Sequence, residues 1–159
     1  MATQVRTDID QLLADSLKEL AAKRPMEKIT IKEITDKAGV IRPTFYNHFQ
    51  DKFELLEWII RTELLEPILP LVRSGMVTEA MVLLFSSIER DKAFYSHVVK
   101  LEGAVTFHDV AQKCVREMLL EIINEQMSGK TPKHKWLSPE IIASYYAQSM
   151  CFATEEWIG

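Results

Sequence analysis

The chain has 159 residues and a formal net charge of −4, with 47% hydrophobic and 26% charged residues. That is room for one ordinary domain, or a small head with a larger body, and enough apolar material for a core. It excludes a disordered segment and a polycation that binds nucleic acid indiscriminately.

The longest unbroken apolar run, Ala80 to Phe85, falls far short of the roughly 18 residues that suggest a membrane span. The start, MATQVRTDID, lacks a secretory pattern. Cys114 and Cys151 both fall in apolar helical patterns, as small buried hydrophobes do in a reducing compartment. A cytoplasmic protein without membrane contact is expected.

No stretch alternates in strand fashion and no Asn-Gly or Asp-Gly hairpin signal occurs, so the chain is predicted to be all-α. The first helix runs from about Asp8 to Lys23, with Ile9, Leu12, Leu13, Leu17, Leu20 and Ala21 in one stripe, Thr7 as cap and Pro25 as stop. The second runs from Thr30 to Ala38. Thr30 and Glu33 have capping-box spacing, and Gly39 supplies the left-handed residue that closes the helix. The third is short, from about Arg42 to Phe49. Phe45 and Phe49 bury one side, Val40 and Ile41 are expected beneath its start, and Arg42, Pro43, Tyr46 and Asn47 fall on the other side.

A fourth helix begins at Asp51, carries Phe53, Leu56, Trp58, Ile59 and Ile60, and is expected to break or kink at Pro67 and Pro70. Helices over Thr78 to Arg90, Lys92 to Lys100 and about Thr106 to Met127 come next. A polar loop from Ser128 to Leu137 leads to a last helix that starts at Ser138-Pro139 and reaches about Trp157. The predicted architecture is a homeodomain-like, three-helix helix-turn-helix head over residues 1–50 and a helical bundle for sensing and dimerisation over residues 51–159.

Charge is uneven. From Lys23 to Lys52 there are seven cations against four anions, a net of +3 on an otherwise acidic chain. That is the pattern of a DNA-binding head on a non-binding body. A helix-turn-helix needs a bracing helix, a tight turn and a second helix that presents polar side chains to a groove, and residues 31–50 supply all three. In Ile34, Ala38-Gly39-Val40, Pro43-Thr44-Phe45-Tyr46, His48-Phe49, Asp51-Lys52 and Leu55-Leu56 the sequence resembles the tetracycline-repressor (TetR) family of transcription regulators. The final helix, ending Glu156-Trp157-Ile158-Gly159, resembles more weakly a subgroup linked to dihydroxyacetone-kinase operons.

Thr30, Lys32 and Lys52 open helices whose N-terminal amides suit phosphates. Tyr46 and His48 resemble family positions that touch the DNA backbone. Arg42, Pro43, Thr44 and Asn47 are candidates for base edges: Arg suits guanine, Asn suits adenine, and a Pro or a Thr methyl suits a thymine methyl. Two positions depart from the family. Ile41 stands where a Ser or Thr is frequent, forgoing a cap worth roughly 1 kcal/mol, and Thr35 stands where alanine is usual.

One short helix reads few base pairs, so a homodimer on a palindromic double-stranded DNA operator is expected. The last two helices would pair with their mates as a four-helix bundle, with Ala143, Ser144 and Ala147 admitting close approach unless they pack within the chain. The resemblance implies a small effector, apolar or of mixed polarity, held in the body. Trp58, Phe85, Phe94, Tyr95, Phe107, Met118, Tyr145 and Met150 are the candidate lining, with Tyr146 and Phe152 beside them and plain core as the alternative.

No enzyme is expected, for want of a phosphate-cradling loop, a His-Glu-x-x-His or a nucleophile elbow. No metal or cofactor is expected either, since His97, His108 and His134 lack partners at ligand spacing. The function expected is a repressor released by an effector. The alternative is an activator controlled by a kinase-like protein partner, with no small-molecule pocket.

Overall fold

The computed structural model describes residues 2–127, 134 and 137–159, with side chains from Asp8 onward, and shows no strand among the described residues. The loop expected over 128–137 otherwise lies outside the described residues. α1 (Ala2–Ala21) begins earlier than its sequence signals, and Thr7 lies inside it rather than before it. Of the expected stripe Leu13, Leu17 and Ala21 are fully buried, together with Ala14, whereas Leu12 is 43% exposed. A 3-10 turn (Met26–Lys28) comes after Pro25 and buries Met26.

α2 (Ile31–Ala38) opens on a complete capping box at Thr30 and Glu33 and ends at Gly39, whose φ of 69° a side chain would strain. α3 (Arg42–His48) buries Phe45, and Phe49 lies 5% exposed just after its end. α4 (Lys52–Ile59) is capped by Asp51, whose carboxylate accepts from the amides of Phe53 and Glu54 at 2.8 and 2.9 Å.

Pro67 and Pro70 do not break the helix beyond α4. α4 passes through a π-helical stretch (Ile60–Leu65) into α5 (Glu66–Arg73), with Pro70 inside α5. In α geometry the ring of Pro67 would crowd the carbonyl of Glu63 and leave it without a donor. The wider π turn, in which the Glu66 amide reaches back to Arg61 O, makes room for the ring while the helix continues.

α6 (Val77–Arg90), α7 (Lys92–Val98), α8 (Phe107–Gln126) and α9 (Pro139–Ile158) complete the body, and α8 and α9 form its most extensive helix pair. Ala143 and Ala147 are fully buried on the face of α9 that packs inside the chain. The small residues therefore serve the internal contact. The opposite face of α9 leaves Ile141, Tyr145 and Phe152 more than half exposed.

Head and body share one continuous core, in which α4 contributes Leu55, Leu56 and Ile59 and packs on both α1 and α8. Ion pairs tie the same elements together. Lys18 of α1 reaches Glu63 at 2.6 Å and Asp91 at 3.0 Å. Glu57 takes Arg61 at 3.0 Å and Lys113 of α8 at 2.9 Å, Arg61 also pairs with Glu117, and Arg73 pairs with Glu121 and Glu125 at 2.6 and 2.8 Å.

Candidate nucleic-acid interface

The site is built on α3, a helix too short to hold itself together. Phe45 and Phe49 anchor its inner side, their rings 5.9 Å apart, and Trp58 of α4 meets Phe49 edge-on at 6.3 Å. With that side fixed, Arg42, Pro43, Tyr46 and Asn47 stand exposed together on the other, and Thr44 is half-buried between. The Tyr46 ring braces against the edge of Phe45 at 5.6 Å, which holds its hydroxyl outward, and a guanidinium nitrogen of Arg42 lies 3.5 Å from that hydroxyl.

Thr30 and Lys32, at the start of α2, are also exposed. The Thr30 hydroxyl accepts from the Glu33 amide at 3.3 Å, and the Glu33 carboxylate takes the Thr30 amide at 2.8 Å and Arg24 at 2.5 Å. The Arg24 bond first, then the Thr30 amide and hydroxyl, hold the Glu33 carboxyl down at about 2. Lys32 pairs with Asp36 at 2.6 Å, one turn along the exposed side of α2. That bond raises the Lys32 pKa, and the positive charge of nearby Arg42 opposes it.

Two candidates are engaged elsewhere. Lys52 donates all three ammonium protons to carbonyls of the turn before α2: Met26 O at 2.9 Å, Glu27 O at 2.9 Å and Ile29 O at 2.8 Å. It fastens the start of α4 to that turn. Desolvation there pulls its pKa down, against the pull of Glu27 and Asp51. His48 has its side chain only 11% exposed, with Nδ1 2.6 Å from Asp10 Oδ1. Its partner is α1.

Ile41 is where sequence reasoning missed. It does not pack beneath α3 but is 69% exposed, in extended backbone just before the helix, and contributes no side-chain cap. An extended chain alternates sides, and Val40 packs on the core. The outward turn of Ile41 results from that alternation, which its hydrophobicity masked.

The body holds an apolar cavity of about 50 Å³ between the π stretch, α6, α8 and α9. Of the eight candidate lining residues, Tyr95, Phe107, Met118 and Met150 meet there. The other four do not: Trp58 packs on Phe49, Phe85 stacks on Trp157, Phe94 is core, and Tyr145 is exposed. The Tyr95 hydroxyl is buried without a hydrogen-bond partner, and burial pushes its pKa up. Thr154 and Glu155 stand at the cavity's polar margin, where Glu155 bonds His108 at 2.9 Å. Cys114 and Cys151 are buried free thiols whose pKa values burial pushes up to about 12, far from a reactive thiolate. Among the described residues no group of His, Cys, Asp or Glu could hold a metal ion, and no helix is long and apolar enough to cross a membrane.

Comparison with known proteins agrees with this arrangement. Residues 13–59 match the family described as bacterial regulatory proteins, tetR family, and residues 77–159 match a transcriptional regulator C-terminal region. The chain is similar to the HTH-type dhaKLM operon transcriptional activator DhaS of Lactococcus lactis subsp. lactis (strain IL1403), at 26% identity over 150 residues, or 93% of this chain and 78% of that protein. A solved structure described as dihydroxyacetone kinase operon activator DhaS superposes with a TM-score of 0.62 at 24% identity, covering 94% of this chain and 84% of the other, a likeness of fold. With its helix-turn-helix and its regulatory body both matched, the chain belongs to the tetR family and is a DNA-binding transcription regulator, not an enzyme.

Proposed function

We propose that two copies of this chain pair through the outer faces of α8 and α9 and set their α3 helices into successive major grooves of a palindromic operator in the cytoplasm. One observation carries this: α3 is braced by Phe45, Phe49 and Asp10 and leaves Arg42, Pro43, Tyr46 and Asn47 exposed as one polar face. In this reading Arg42, Pro43, Thr44 and Asn47 meet base edges, while Tyr46, Thr30 and Lys32 meet the sugar–phosphate backbone. Lys52 and His48 act by positioning, since their polar atoms are held by the protein.

The sign of control is read as activation, on the likeness to the activator DhaS. A kinase-like protein partner would then supply the signal. A second reading, repression released by a small effector, is favoured by the apolar cavity that Tyr95, Phe107, Met118 and Met150 line.

Selection of binding sites from a random duplex pool with the full chain tests the proposal. The expected product is one palindrome, bound by two chains, with affinity falling steeply as salt rises. Failure to enrich any sequence would reject it. The selected site placed upstream of a reporter reads the sign of control.

A further inference from the structure

We propose that Ile41 is a specificity-determining residue which reads the 5-methyl group of a thymine in each half-site; this rests on the reading of α3 as the helix that enters the major groove. Ile41 is 69% exposed, the largest exposure among the described large hydrophobic residues. It lies beside exposed Arg42 and Pro43, where a recognition helix presents its first residues to base edges.

Locally, isoleucine is a poor choice at this place. As the residue before α3 it leaves the helix without a side-chain cap, and its branched side chain gains nothing from burial. A serine would cap the helix and expose no apolar surface. A residue that is unfavourable on both counts in the free chain is explained by a contact made only in the complex. In the major groove the exposed apolar feature of a base pair is the thymine methyl, which sets thymine apart from cytosine. Arg42 next to it takes a hydrogen-bonding edge, so the pair would read a thymine beside a base that offers acceptors.

The test removes the methyl group and the side chain separately. The operator selected with the wild-type chain is remade with deoxyuridine in place of each thymine in turn, and both wild type and Ile41→Ser are titrated against the set. For wild type, one symmetry-related thymine should show a loss of roughly fourfold per half-site, the value of one methyl group taken out of water. Ile41→Ser should bind the thymine and deoxyuridine duplexes alike at that position. Its melting temperature should rise, because serine restores the cap, so misfolding is not confounding. Ile41→Ala checks the same readout without a new hydroxyl.

Equal responses of wild type and Ile41→Ser at every thymine, or a selected site without thymine, would overturn the assignment while leaving operator binding intact. If neither protein enriches any sequence, the reading of α3 fails and this inference fails with it.

Discussion

His48, the last residue of α3, places Nδ1 2.6 Å from Oδ1 of Asp10 on α1, with both side chains largely buried. An ionised carboxylate can only accept, so the Nδ1 proton is the one donated. The bond fixes the far end of a seven-residue helix to the longer helix behind it. Replacing His48 or Asp10 by Ala should each cost about 1–3 kcal/mol, since the partner is left buried and unpaired. The double variant should cost less than the sum. Urea titrations of the four proteins give the coupling, and additivity would mean that the bond does not hold α3.

The capping box gives the head a dependence on acid. Glu33 has its pKa depressed from 4.5 to about 2 in the folded chain. A depressed carboxyl stabilises the fold above its unfolded pKa, and the contribution is lost as pH falls from about 4.5 to about 2. Wild type should therefore exceed Glu33→Gln in urea midpoint at pH 6, with the gap narrower at pH 3, part-way through that window. Thr30→Ala should cost about 1 kcal/mol at pH 6. A gap that stays constant between the two pH values would assign the Glu33 effect to something other than its charge.

Tyr46 and Asn47 are neighbours with different expected roles. Tyr46→Ala should weaken binding to all duplexes alike, without loss of helix content, because a backbone contact carries no sequence information. Asn47→Ala should cost about 1–3 kcal/mol against the preferred site and relax the choice at one base position. Repeating the site selection with each variant separates them. A sequence preference altered by Tyr46→Ala, or untouched by Asn47→Ala, would exchange or cancel these roles.

The head was legible because its signals are local. Thr30 with Glu33, Gly39, and Phe45 with Phe49 each act within a turn or two, and each does in the structure what its spacing implies. Long-range partners were not legible. Nothing near Lys52 in sequence shows that three carbonyls of a turn more than twenty residues earlier would take its protons, and nothing near His48 points to Asp10. In the body, the large apolar residues of the last helix read alike in sequence. Only packing separates Met150, at the cavity, from Tyr145, at the surface. The prolines left their form of irregularity open for a related reason: beside Pro67 the chain takes a π turn, which no single residue announces.

α9 is apolar on both faces, and this makes its internal packing and its proposed pairing separable. Its inner face sets Ala143, Ala147 and Cys151 within the chain, and its outer face exposes Ile141, Tyr145 and Phe152 in line along the helix. An exposed aliphatic and aromatic row of this kind fits a mate helix across a two-fold axis. Phe152→Glu should keep the fold, since the side chain is already 62% exposed, but should place two like charges near the axis and give a monomer in sedimentation. Operator affinity should drop with it, because one α3 helix alone reads a half-site. Ala147→Leu should do the reverse. It overfills an internal contact, costing about 1–3 kcal/mol of stability while the chains that remain folded still pair. A Phe152→Glu protein that stays dimeric would move the interface away from this face of α9.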